Sequence, residues 1–316
     1  MDSYFLEQFE TKVENETTKR TYIGQLKVLM NKIKDELKDD TPEKLIRHIL
    51  THPTKYSEMI QKFYKKDNST KMVIAVILAV FKYSETKCKY EQHYNKWKQI
   101  HDQYKTKIEE TVEKNEPSES QKEKYISFEV MREGIKKLGK DDPHSTRRKS
   151  LQFCLVSMYM YIRPKRSDFG DIKLFTADPK DKTDNYLVLP TKGTAFFVFN
   201  HRTKTPMKEP LVEPIDGELK KIFQKSIKKH PRDFLFIGRD GDKFASPRSF
   251  SKFVIRTYEI IFGKKVGVSM HRHIYNSEKI DFQRTTRGQR KEIAASMGHN
   301  MTQQDLYHWV KYAPKK

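Results

Sequence analysis

The chain has 316 residues, with 63 Lys and Arg against 42 Asp and Glu and a formal charge of +21. Apolar residues make up 36% and aromatics 12%, enough to bury ordinary cores, so a disordered tail is excluded. The longest apolar run, Met72 to Phe81, is about half of the ~20 residues a spanning helix needs, and no membrane partner is expected. Met1 to Glu10 is acidic and mixed, unlike a signal peptide, and an intracellular protein is the expectation. Two cysteines, Cys88 and Cys154, rule out a disulfide scaffold and a cysteine-based zinc site.

The charge is uneven. Residues 1–120 nearly cancel at about +2, so about +19 falls on residues 121–316. Such a field recruits polyanions, duplex DNA or RNA first.

In chain order, the first part reads as helices. Tyr22, Leu26, Val28, Leu29 and Ile33 recur at helical spacing, and Thr41-Pro42-Glu43 is a helix start with Leu45, Ile46 and Ile49 as its stripe. A third helix covers Tyr56 to Tyr64. A fourth, Met72 to Ser84, is apolar almost throughout and belongs at the centre of a bundle. Tyr90 to Glu113 is long and polar and reads as a helix leaving the bundle. Asn115 to Ser120, with its proline and small polar residues, opens a linker over 115–124. This divides the chain into an all-helical front domain, 1–114, and an α+β rear domain, 125–316. In the rear domain, Ser127 to Lys137 reads as a capped helix and Thr146 to Tyr161 as a buried one. Strand-like pieces follow at Asp171–Thr176, Tyr186–Leu189 and Ala195–Asn200, then a helix over Ile215 to Lys229, and mostly helix from Ser249 on.

No glycine-rich phosphate loop, His-Glu-x-x-His pair or metal-spaced carboxylate cluster is present, so neither a cofactor nor a metal is expected. What stands out is a set of residues at element ends in the basic domain. They are Arg163-Pro164-Lys165-Arg166-Ser167-Asp168-Phe169, the basic turn His201-Arg202-Thr203-Lys204, Ser269-Met270-His271-Arg272-His273, and Met297-Gly298-His299-Asn300 followed by Tyr307. Each alone has an ordinary reading: a solvated helix end, a hairpin tip, a core histidine, a structural Gly-His.

Their order resembles the tyrosine recombinase (phage-integrase) family, in the look of versions from large DNA viruses and mobile elements. The resemblance covers about residues 125–312 in order. It implies a helical, SAM-like core-binding bundle followed by a mainly α catalytic domain with a small antiparallel sheet. It also implies a catalytic set of Arg166, Lys204, Arg272, His299 and Tyr307, with Arg163 as the rival first arginine. Ser269 stands where the family often has His or Lys, three residues before the second arginine; His271 or His273 would have to compensate, with His273 expected to pack within its helix. Tyr312 is the fallback nucleophile, and Trp309 and Val310 are candidate assembly contacts.

The implied activity is site-specific cleavage and rejoining of double-stranded DNA through a 3′-phosphotyrosyl link, by a homo-tetramer on DNA in a nucleus, nucleoid or viral factory. The chemistry suits the residues. A phenol ionises near pH ~10 and is a weak nucleophile unless its target is polarised, which guanidinium groups do with paired donors. A type IB topoisomerase, or a degenerate DNA-binding relative without catalysis, is the alternative; an RNA-binding role has no aromatic-basic segment behind it.

Overall fold

In the computed structural model the chain forms two compact units, Met1–Lys114 and Asn115–Lys316. The structure describes residues 7–8, 11–37, 41–84, 86–180, 183–202, 205–215 and 217–309. Most elements are helices, with one small sheet.

The first unit is built from α1 (Glu16–Leu37), α2 (Pro42–Thr51), α3 (Pro53–Tyr64), α4 (Asp67–Tyr83) and α5 (Glu91–Glu113). Proline opens α2 and α3 where its missing N–H costs nothing. The apolar run of α4 forces it inside: Val73, Ile74, Val76, Ile77, Val80 and Phe81 are all buried. α5 does not leave the bundle, contrary to the expectation. Its sparse apolar residues are large ones, and Trp97 is fully buried with its indole N–H donating to the Leu50 carbonyl at 3.1 Å. A single aromatic anchors a long polar helix because it buries so much surface.

The second unit begins inside the stretch read as linker. Ser118 and Gln121 form a reciprocal capping box that starts α6 (Glu119–Lys124), so more than half of residues 115–124 is helix. Then come α7 (Phe128–Lys140) and α8 (Arg147–Tyr161), capped by Ser127 and Thr146 through their side chains. α8 is buried on every side from Ser150 to Tyr159 and forms the middle of the rear core. A 3₁₀ turn, Ser167–Asp171, leads into β1 (Lys173–Phe175), β2 (Tyr186–Val188), β3 (Phe196–Arg202) and β4 (Thr205–Pro214).

The sheet order is β1-β2-β3-β4, and it is mixed rather than antiparallel: β1 and β2 run parallel, the other pairs antiparallel. Because β1 and β2 are parallel, a crossover and not a tight hairpin has to join them. β4, which carries Pro206, Pro210 and Pro214, is not among the strand-like pieces expected from the sequence. Among the described residues it pairs only with β3, and an edge strand tolerates proline. The helices α9 (Gly217–Lys229), α10 (Pro247–Phe262), α11 (Val268–Lys279), α12 (Arg287–Met297) and α13 (Met301–Tyr307) complete the unit. No helix among the described residues is long and apolar enough to cross a membrane.

Candidate active site around Tyr307

The scaffold of the site is α11 against the joint between α12 and α13. Met297-Gly298-His299-Asn300 is that joint. Gly298 takes φ 81°, a left-handed conformation that other residues resist, and its N–H and that of His299 close α12 onto Ala294 and Ala295. Asn300 then opens α13 by accepting from the Gln303 N–H at 2.8 Å. Between the two capping residues sits His299, which is 5% exposed.

α11 holds the end of α13 from below. The Ser277 hydroxyl donates to the Tyr307 carbonyl at 3.5 Å and accepts from the Trp309 N–H at 2.9 Å. The His273 ring stacks on Trp309 at 4.2 Å and meets the Tyr307 ring edge-on at 4.6 Å. Trp309 is 2% exposed, so it belongs to this unit's own core and does not supply the expected assembly contact. Val310 and Tyr312 lie outside the described residues.

The half-buried phenol of Tyr307 is thus ringed. The Arg272 guanidinium lies 5.0 Å from its ring centroid, and the His299 ring 5.2 Å away. Arg272 is 2% exposed, and its Nε and one terminal nitrogen have no hydrogen-bond partner among the described residues. A buried cation with idle donors is costly, and groups left in that state mark places where a ligand completes the bonding. Burial pushes the Arg272 pKa down; Tyr307 opposes this, and the charge of Arg166 adds to it.

Of the two candidate first arginines, Arg166 is therefore the one whose charge reaches Arg272. Arg163 donates to the Ser296 hydroxyl at 3.3 Å, in the last turn of α12 beside the Gly298-His299 joint. Between them Lys165, 3% exposed, makes an ion pair with Glu213 on β4 and lies 5.3 Å from the Phe199 ring centroid. Burial pushes its pKa down while Glu213 pulls it back up. This pair ties the arginine loop to the strand that follows the basic turn. It went unread in the sequence because Lys165 looks like one more surface cation. Lys204 lies outside the described residues.

The two histidines beside Arg272 take different places. His271 stacks on Tyr159 at 3.9 Å, lies 4.4 Å from Tyr258, and is pushed down to about pH 3 by burial. His273 faces Tyr307, with a pKa lowered by burial to about 4. Residues two apart on a helix point to nearly opposite sides, so only one of them can reach the phenol. Ser269 is exposed in the first turn of α11. Gln304, one turn before Tyr307, is fully buried with neither amide atom partnered among the described residues. An amide in the middle of a polar helix gives no sign of this in the sequence. No three His, Cys, Asp or Glu side chains among the described residues cluster as a metal site would.

No protein-family model matches this chain, and no curated protein does. Among solved structures the chain is similar to a XerA recombinase, at 12% identity and a TM-score of 0.40, over 96% of this chain and 92% of that one. At that score the likeness is loose, and the functional reading rests on the side chains around Tyr307.

Proposed function

We propose that the protein is a site-specific DNA recombinase whose nucleophile is Tyr307. One observation carries the reading: a buried arginine with two idle donors lies against a half-buried tyrosine ring, with a histidine on the same ring. A phosphodiester supplies what this arrangement lacks, two non-bridging oxygens for Arg272 and a phosphorus for the phenol.

In the proposed reaction the Tyr307 oxygen attacks phosphorus as its proton passes to His299 or water. The P–O5′ bond breaks, and the departing O5′ takes a proton from Lys204 or from water. Arg166 and Arg272 hold the charge on the non-bridging oxygens throughout. A 5′ hydroxyl from a second strand then attacks the phosphotyrosine, freeing the phenol and reforming a phosphodiester. The bond count is unchanged at each step, and the steps require no nucleotide. Exchange between two duplexes needs more than one copy on DNA; the tetramer implied by the resemblance is part of this proposal.

The test uses the full chain with sheared DNA of its own genome, followed by denaturing capture of fragments bound to protein. The expected result is a covalent adduct that disappears in Tyr307→Phe, with one sequence enriched at the trapped 3′ ends. An adduct that persists in Tyr307→Phe would remove Tyr307 from its role. Plasmid relaxation without strand exchange would reassign the chain to topoisomerase chemistry.

A further inference from the structure

A second cationic site stands apart from Tyr307, at the other end of α8, about 20 Å along the helix from the arginine loop. There a cavity of about 420 Å³ is bordered by Arg147 and Arg148 on α8, Arg239 in the loop before α10, and Lys252 and Arg256 one turn apart on α10. None of its lining residues is acidic, and none of these five cations forms an ion pair or hydrogen bond with the described residues. Arg147 and Arg148 also occupy the first turn of α8, where the helix dipole repels positive charge and an anion would relieve it.

The floor is of a different character. The half-buried rings of Phe244 and Phe253 lie 5.3 Å apart beside Leu151. Thr257, 1% exposed, lines the same cavity with its hydroxyl unpartnered among the described residues. The ligand therefore has to offer negative charge at the rim, a flat apolar face below it and a polar edge for Thr257. The volume lies in the ~300–1,000 Å³ range of small-molecule sites. A DNA duplex matches only the rim, because its bases are stacked away from the protein. A nucleotide outside a duplex matches all three, since any base has a face that stacks on an aromatic ring.

We propose that this cavity binds an unpaired nucleotide, with its phosphate on the arginine rim and its base against Phe244 and Phe253. The nucleotide comes either from a single strand of DNA or from the free pool. The proposal does not depend on Tyr307.

Fluorescence anisotropy of the full chain with labelled dT8, and with a labelled duplex of equal length, tests it. The double variant Arg148→Gln/Arg256→Gln is expected to weaken dT8 binding about tenfold, with a smaller loss on the duplex and an unchanged melting temperature. Phe253→Leu, which keeps an apolar side chain but removes the ring face, is expected to weaken dT8 about fivefold and leave the duplex unaffected. Competition by ATP at concentrations near its own dissociation constant identifies a free nucleotide as the source; dT8 binding that ATP does not displace identifies the strand. Equal losses on dT8 and duplex in both variants would overturn the proposal and leave a general basic surface. Displacement of dT8 by an acidic aromatic peptide more tightly than by ATP would overturn it in favour of a protein partner. Adduct formation through Tyr307 is expected to be unchanged in both variants, so the two readings stand or fall separately.

Discussion

The two units treat buried polar atoms differently. Among the described residues of the first unit, only the Thr70 hydroxyl is buried without a partner. In the second unit there are more: atoms of His271, Arg272, His273 and Asn276 on α11 and of Tyr159 and Gln304 beside it, with others on Ser157, His201, Thr257 and Arg290. The front unit spends its interior on packing, with Ile74, Ile77 and Phe81 fully enclosed. The rear unit encloses charge and amide groups at the same depth. A native core tolerates a few such groups, and each one that stays buried without a partner costs stability.

The sharpest way to break this contrast is at Arg272. Arg272→Ala is expected to lower adduct formation by about 10²–10³-fold, the scale of losing a charge-stabilising donor. Arg272→Lys is expected to retain more, because a point charge replaces the fork only in part. Arg272→Met should raise the melting temperature or leave it unchanged, since it removes an uncompensated buried cation. A clear fall in melting temperature would mean that Arg272 is a structural residue, and the contrast between the units would fail.

Ile77→Ala probes the opposite side. It should cost about 2–5 kcal/mol of front-unit stability, the usual price of emptying a packed position. The chain has two tryptophans, Trp97 in the first unit and Trp309 in the second. Urea unfolding followed by the emission band that is retained in Trp309→Phe isolates Trp97 and reads the loss.

Acid should destabilise the rear unit. His271 and His273 titrate near 3 and 4 when folded against 6.5 in the ordinary state. Below pH 6.5 the unfolded chain takes up protons that the folded one refuses, so stability is complete above that pH and drains as it falls toward 4. By pH 5 the loss is about 2 kcal/mol per histidine. His271→Phe should flatten the dependence measured by urea unfolding at pH 7 and pH 5; an unchanged slope would show that His271 is not the group responsible.

The smallest effect expected is at the helix joint. Asn300→Ala removes the cap of α13 and should cost about 1 kcal/mol. Adduct formation should slow while DNA affinity stays the same, because the change loosens the helix that carries Tyr307 and touches no phosphate.

Much of the helical order was legible because periodicity and caps are local. The central place of α4 followed from its apolar run, and the starts of α7 and α8 from Ser127 and Thr146. The misreadings have a common cause: in each, a distant partner overrides the local signal. Trp97 brings α5 back into the bundle through a bond to Leu50, β4 survives its prolines by lying at an edge, and Lys165 is buried because Glu213 meets it there. At the candidate site, Arg166, Arg272, His299 and Tyr307 were all named from motif order. Whether His271 or His273 faces the phenol was left open by the sequence, since a side chain's direction depends on what each face of α11 packs against.

By itself, then, the amino-acid order determined most of the helices, the concentration of positive charge beyond residue 120 and the short motifs, because each depends on neighbours within a few positions. Only the tertiary structure decided that Arg272 and His299 share the ring of Tyr307, that His273 rather than His271 joins them, and that five cations surround an aromatic floor at the far end of α8. Those facts depend on residues brought together across long stretches of chain, and such contacts are selected by the packing of whole helices, which no local pattern encodes.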